Sequence, residues 1–231
     1  MVKQKYLKCI LFGKVSAIIM NEPQYEIVSF FPENFFNKDV NEPFTKKIIN
    51  SVLDVKEWRK GDPNQFEPDY FGDDIPFEFT LASDSKKKNN FIQKMIKGKF
   101  YSEDLEQEVF SYIRERIKDK AERNYSVENV HLCVLCLLNM FNWVSDEYGS
   151  VSHWMIDIPR QNFFNEIKNR YIETQIFNNI FIIFPDMCGK WWVFDVLTNY
   201  KKAVSLTVEE IKSQRFPFVF EKQIYEEYMK Y

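Results

Sequence analysis

The run 130–138 constrains the fold more than any other feature of this sequence. It reads Val-His-Leu-Cys-Val-Leu-Cys-Leu-Leu and is apolar at every position except His131. Because successive side chains of a β-strand point to opposite faces, such a run is typical of a strand that is buried on both sides. We therefore predict a mixed α/β (α+β) fold, in which this run is a central strand of a mixed sheet flanked by helices.

Strand and helix patterns follow one another along the rest of the chain. Runs of β-branched and aromatic residues predict strands over 6–12, 14–20 and 25–31, and an alternating pattern predicts another over 75–82. Apolar residues at helical spacing predict helices that begin at Pro43, near Ser102 and near Asp157 or Pro159, with short helices over 207–214 and 221–231. The segments 180–185 and 191–197 predict a hairpin. This organisation predicts a single domain over residues 1–231.

Composition excludes several kinds of functional site. The 231 residues include 6 glycines, and neither the P-loop pattern nor G-x-G-x-x-G is present. Two histidines are too few for a zinc site with three histidine ligands. Cys133 and Cys136 form a single C-x-x-C inside the apolar run, where cysteine behaves as a small apolar residue. We expect both thiols to be buried, without a redox or metal-binding role.

No segment of the sequence indicates secretion or a membrane span. The apolar run 9–12 is too short for a signal peptide, and no stretch approaches 18 uncharged apolar residues. These features predict a cytoplasmic protein with reduced thiols and no membrane partner.

The net charge of −3 is an average over two adjoining segments of opposite sign. Six acidic residues and no basic residue lie between positions 61 and 78, and six lysines and no acidic residue lie between positions 86 and 99. Mild overall acidity argues against indiscriminate nucleic-acid binding. A basic segment directly after an acidic one is nevertheless compatible with a nuclease.

Two carboxylates of the acidic segment could form a metal site. Asp69 precedes a Gly-Asp-Asp turn, and Glu78 lies on the predicted strand that follows, with Thr80 on the same strand face. Carboxylates on neighbouring strands can bind Mg²⁺, which takes oxygen ligands and lowers the pKa of a bound water. Glu57 or Glu42, at the ends of the preceding helix, could supply a third oxygen ligand.

The sequence Pro68-Asp69, followed by Glu78-Phe79-Thr80 on the next strand, resembles the motif of the PD-(D/E)XK nuclease superfamily. The predicted order of helix, strands, helices and buried strand over residues 41–140 is similar to that family's core. The resemblance implies a restriction-endonuclease-like core at 41–140, an N-terminal strand elaboration at 1–36 and a C-terminal helix and hairpin elaboration at 141–231. It also implies Mg²⁺-dependent hydrolysis of nucleic-acid phosphodiesters, with Asp69 and Glu78 as catalytic metal ligands and Glu57 or Glu42 as an accessory.

The sequence departs from the family's motif at one catalytic position. Thr80 stands where the family has a lysine after the glutamate. A lysine of the next helix could take its part, and the candidates are Lys86, Lys87, Lys88 and Lys94. Without such a lysine, the fold would be kept with weakened or absent catalysis. Pro76, inside the predicted strand, fits only an edge position or a bulge.

Structural roles remain open for the same residues. Asp69 can be a turn or capping residue, and Glu78 a solvated strand residue. The helix predicted over 103–123 alternates in charge sign and is expected to present a solvated face. His131 and His153 are expected to be structural.

A function without catalysis also remains open. Aromatic residues make up 17% of the chain, and aromatic side chains are enriched at protein interfaces. The chain could then be a protein-binding module in bacterial conflict with phages or mobile elements, as in phage defence. Trp191-Trp192, on a strand of the predicted hairpin, is expected to place one ring in the core and the other partly in solvent.

Overall fold

A computed structural model of the chain describes residues 15–19, 25–30, 32, 35, 37–82, 102–136, 158–186 and 188–230. The strand predicted over 6–12, the lysine-rich helix from position 86 onward, and His153 lie outside these residues. Among the helices that the structure describes, none is both long enough and apolar enough to cross a membrane.

Within the described ranges, seven strands form the larger sheet, and they lie side by side in chain order. The three strands at its centre are parallel to one another, and every other neighbouring pair is antiparallel. The strands are β3 (Trp58–Lys60), β4 (Tyr70–Gly72), β5 (Ile75–Ala82), β6 (His131–Cys136), β7 (Asn179–Pro185), β8 (Lys190–Asp195) and β9 (Tyr200–Ser205). Residues after position 140 thus add three strands to the sheet that begins at Trp58.

A second sheet of three strands joins distant parts of the chain. Its central strand β2 (Tyr25–Phe30) pairs with β1 (Val15–Ile19) and with β10 (Phe218–Glu221), both antiparallel. Glu221 lies opposite Ile27 in this pairing.

Helices pack against both sheets. They are α1 (Lys38–Leu53), α2 (Ser102–Ala121), α3 (Ile158–Ile167), continued by a π-helical turn (Lys168–Ile172), α4 (Val208–Lys212) and α5 (Lys222–Tyr228). A short 3₁₀ helix, Pro63–Gln65, lies between β3 and β4.

The alternation of β5 places its side chains in two separate apolar clusters. Phe77 and Phe79 belong to the cluster that contains Phe44 and Ile48 of α1. Ala82 belongs to the other cluster, which contains Ile113 and Ile117 of α2 and also residues of α3. The sheet is therefore covered by α1 on one face and by α2 and α3 on the other, as a strand buried on both faces requires.

The α/β class and several elements predicted from the sequence are confirmed. β5 spans 75–82 as predicted, β6 lies between two parallel neighbours, and β7 and β8 form the predicted hairpin. Cys133 and Cys136 are buried, as expected. Pro76 pairs only with β4, because the pairing with β6 begins at Phe77, so it occupies the expected one-sided position.

The start of α1 was predicted wrongly. The helix begins at Lys38, and Pro43 lies inside it. Proline suits the first turn of a helix, but Pro43 lies in the second turn, where its missing N–H leaves the Asp39 carbonyl without the usual helical hydrogen bond. Burial of Asn41 and Glu42 in this early turn favours the longer helix.

Candidate functional site

Asp69 and Glu78 meet where β4 begins beside β5. The Asp69 backbone N–H donates to Oε2 of Glu78 over 3.1 Å, and the Phe79 backbone N–H donates to Oδ2 of Asp69 over 2.9 Å. The strand register explains this contact, because Tyr70 lies opposite Phe77 and the residue before Tyr70 therefore lies beside Glu78. The carboxylate of each residue is held by a backbone donor of the other strand. Glu78 is 1% exposed, so the alternative of a solvated strand residue is wrong.

Two cations from the end of α2 bind the carboxylate of Glu78. Lys120 is 5% exposed, and its ammonium donates to Oε1 of Glu78. Arg123, just beyond the helix, donates from Nη1 to the same oxygen over 3.0 Å. The helix does present the predicted solvated face, for example at Glu115 and Lys118, but Lys120 lies on its buried side.

A third cation reaches the pair from α1 on the other side. The ammonium of Lys38 donates to Oδ1 of Asp69 over 2.9 Å and lies 3.4 Å from the buried carboxylate of Glu42. Glu42 is also hydrogen-bonded to the Tyr70 side chain. The side chain of Lys38 is 61% exposed, so this contact is open to solvent. Side chains from α1, from the β4–β5 hairpin and from the end of α2 thus form one row of alternating positive and negative charges.

Burial and charge act in opposite directions on the ionisable groups of this cluster. Burial raises the pKa of Glu78, and the charge of Asp69 adds to that effect, while Lys120 opposes it. Burial also acts to raise the pKa of Asp69, but the charges of Lys120 and Lys38 outweigh it and hold that pKa below its usual value. Burial lowers the pKa of Lys120. Two neighbouring carboxylates with pKa values displaced in opposite directions are a common feature of acid–base sites.

The hydroxyl of Tyr125 is buried near the cluster without a hydrogen-bond partner among the described residues. Burial raises its pKa first, and the charge of Glu78 contributes next. A buried polar group without a partner is unusual in a folded protein and points to a strained or ligand-facing position.

The other predicted site residues are placed as follows. Thr80 is half-buried on β5, on the strand face of Glu78. Glu57 is exposed, and its backbone pairs with Asp73 at the opposite end of β4 from Asp69, so the structure does not bring it to the pair. Glu42 lies near Asp69 through Lys38, as above. The predicted lysines lie outside the described residues; they are Lys86, Lys87, Lys88 and Lys94.

The structure also places His131 and the two tryptophans of the predicted hairpin. His131 stacks between Phe77 and Phe181, and its Nε2 contacts the Asn178 amide at 2.8 Å. Its Nδ1 is buried without a partner among the described residues. In the hairpin, Trp191 is fully buried and Trp192 is half-buried, as predicted.

Sequence reasoning missed Lys120, Arg123 and Lys38. A signal for Lys120 was present, because the apolar positions Phe110, Ile113 and Ile117 continue at helical spacing to position 120. A lysine on the apolar stripe of a helix is buried only with a partner, so it pointed to a buried carboxylate on the sheet. No comparable pattern singles out Lys38, because it precedes Pro43, where the sequence predicts the start of the helix.

Within the described part of the chain, no group of three or more histidine, cysteine, aspartate or glutamate side chains could hold a metal ion. The site consists of the Asp69–Glu78 pair, the nearby Glu42 and the adjacent cations. Comparison of the chain with protein-family models, with curated proteins and with solved structures gave no match.

Proposed function

We propose that this chain is a metal-dependent hydrolase of nucleic-acid phosphodiesters with a core of the PD-(D/E)XK type. The observation that carries the proposal is the contact of Asp69 with Glu78 on neighbouring strands, with the buried Lys120 bound to Glu78. Supporting it is the element order of helix, three antiparallel strands, helix and parallel strand from α1 to β6. That order is the one that the sequence resemblance implies.

The pair offers Mg²⁺ two protein ligands, Asp69 and Glu78. This ion is usually held by one or two carboxylates together with water and substrate phosphate, so a third protein carboxylate is not needed. Lys38 is the exposed neighbour that would leave Asp69 when a cation arrives. The bound ion would supply activation of a water and compensation of phosphate charge.

In this proposal Lys120 has the catalytic role that was expected of a lysine in the segment 86–94. Its ammonium lies against Glu78 in a site shielded from water, where a fixed positive charge stabilises negative charge far more than at the surface. The half-exposed guanidinium of Arg123, on the same carboxylate, adds a second cation that can contact a phosphate.

Cleavage of a supercoiled plasmid and of a labelled single strand, with Mg²⁺ or Mn²⁺, tests this proposal. We expect the wild type to cut, Asp69→Asn and Glu78→Gln to be inactive, and Lys120→Met to lose about 10²–10³-fold in rate. Asp74→Asn, in the exposed turn of the same hairpin, is the matched control and should retain full activity. Circular dichroism and thermal melting show whether each variant is folded. Full activity of both folded carboxylate variants would overturn the proposal.

A second candidate, a protein-binding module without catalysis in bacterial conflict with phages or mobile elements, is favoured by the charge balance of the cluster. Three carboxylates face three cations there; they are Glu42, Asp69, Glu78, Lys38, Lys120 and Arg123. A balanced network can serve structure alone. This candidate expects no heat of Mg²⁺ binding at millimolar concentration in calorimetry. It also expects a stable protein complex that Asp69→Asn leaves unchanged.

A further inference from the structure

Phe66 is the most exposed large apolar side chain among the described residues, at 69%. It lies in the acidic loop, three residues before Asp69. Its backbone is left-handed, with φ of 55°, a conformation that a phenylalanine rarely adopts. An apolar ring held in solvent by an unfavourable backbone conformation is a feature that folding alone does not explain.

Hydrogen bonds fix the backbone conformation of the loop around Phe66. The Phe66 N–H donates to the Pro63 carbonyl over 3.3 Å, and the Asp62 carboxylate caps the 3₁₀ helix by accepting from the Asn64 N–H. The Glu67 carboxylate accepts from the Asp62 N–H and from Arg59, so its charge is paired inside the loop. The backbone that carries the Phe66 ring is therefore fixed, which lowers the entropy cost of a stacking contact.

This loop contacts the segment that carries the cations of the site. The Ser126 N–H donates to the Phe66 carbonyl over 3.0 Å, and Ser126 follows Arg123 by three residues. On the other side, Phe66 lies three positions before Asp69, so their Cα atoms are at most about 11 Å apart. The backbone of Phe66 thus lies within about three nucleotides of Asp69 along a polynucleotide strand, at about 3.4 Å per nucleotide.

We propose that Phe66 is a stacking platform for an unpaired base of a single-stranded nucleic acid whose backbone passes the Asp69–Glu78 pair. The inference rests on the proposed function and names its substrate class. Aromatic rings beside cations are the means by which proteins hold single strands, since every base has a face that can stack. In a duplex the base faces are covered by their neighbours, so an intact duplex cannot use the platform.

Fluorescence anisotropy with a fluorescein-labelled 12-nucleotide strand and with the corresponding duplex tests this inference. The full chain is used with EDTA present, so that binding is measured without cleavage. We expect the wild type to bind the single strand more tightly than the duplex. Phe66→Ala and Phe66→Leu should each weaken binding of the single strand by roughly 5- to 150-fold, the effect of losing one stacked base. Phe66→Trp should retain it.

Tyr200→Ala is the matched control, because Tyr200 is an aromatic residue 61% exposed on β9, the edge strand at the far side of the sheet. Its binding should equal that of the wild type. Three results would overturn the inference: no binding of the single strand by the wild type, unchanged binding by Phe66→Ala, or full binding by Phe66→Leu. The last would indicate a simple apolar contact, as with a protein partner. Phe66-dependent binding without metal-dependent cleavage would overturn the proposed function instead and leave the platform in place.

Discussion

Lys120 and Glu78 form a nearly water-free ion pair between α2 and β5. Removal of one member of such a pair leaves the other charge buried, which is costly, whereas replacement of both by uncharged groups is often tolerated. Arg123 and the Asp69 N–H remain on Glu78 when Lys120 is removed, but neither replaces the buried ammonium.

A double-mutant cycle measures how strongly the pair is coupled. We expect Lys120→Met and Glu78→Gln each to lower the free energy of unfolding by about 3–5 kcal/mol. The double variant should lose clearly less than the sum of the two. Lys118→Met, on the exposed side of the same helix, is the control and should change stability by no more than about 0.5 kcal/mol. Additive losses in urea unfolding would show that the two side chains are not coupled.

His131 is the residue through which mild acid should weaken the fold. Burial lowers the pKa of this imidazole, although the charge of Asp195 acts in the opposite direction. A group whose pKa is lower in the folded state contributes stability above its ordinary pKa of about 6.5, and this stability is lost as the pH falls through the folded-state pKa.

His131→Phe removes this titration while keeping a ring between Phe77 and Phe181. Between pH 7.5 and pH 5.5, we expect the wild type to lose about 1 kcal/mol more unfolding free energy than the variant. Urea unfolding at the two pH values measures the difference, in which the titration of all other groups cancels. Equal losses would mean that His131 titrates alike in the folded and unfolded chain.

At the scale of elements, the hairpin β7–β8 is attached to β10 through Gly189. Its φ is +73°, and a Cβ built on it would lie 1.8 Å from Cζ of Phe220. Cys188 forms an isolated bridge with Phe220 at the same place. Glycine is therefore required here both for the left-handed backbone and for the close approach of the ring.

Gly189→Ala should lower the free energy of unfolding by about 2–5 kcal/mol, as backbone strain and overpacking add together. In a Phe220→Leu background the same substitution should cost less, because a shorter side chain relieves the overpacking but not the strain. Thermal and urea unfolding of the four proteins measure both costs. The same loss in both backgrounds would contradict a clash with Phe220.

The predictability of each element depended on its length and burial. β5 and β6 have six or more residues with clear alternation or continuous apolar character, and both were predicted from the sequence. β3 has three residues and no periodicity, while most residues of β9 are exposed on an edge strand. Only tertiary pairing defines strands of this kind. β10 lies between two helical patterns and was not distinguished from them.

At the scale of the whole molecule, the carboxylates of the candidate site could be predicted from the sequence, but its cations could not. Asp69 and Glu78 could be named because a turn separates them by a short stretch of chain. Their cations are Lys38, which lies 31 residues before Asp69, and Lys120 and Arg123, which lie 42 and 45 residues after Glu78. No local sequence pattern indicates contacts over such separations. Ion pairs between distant elements depend on the packing of α1 and α2 on opposite faces of the sheet, which the sequence specifies only through the whole core.

The pairing of β2 with β10 has a consequence during synthesis of the protein on the ribosome. About 190 residues separate the two strands. At a synthesis rate of about 5–20 residues per second, β2 emerges roughly 10–40 seconds before the strand that completes its sheet. Throughout that interval the edge of β2 that β10 later covers is open to pairing with other extended segments. The segment that carries β10 therefore protects a strand made long before it.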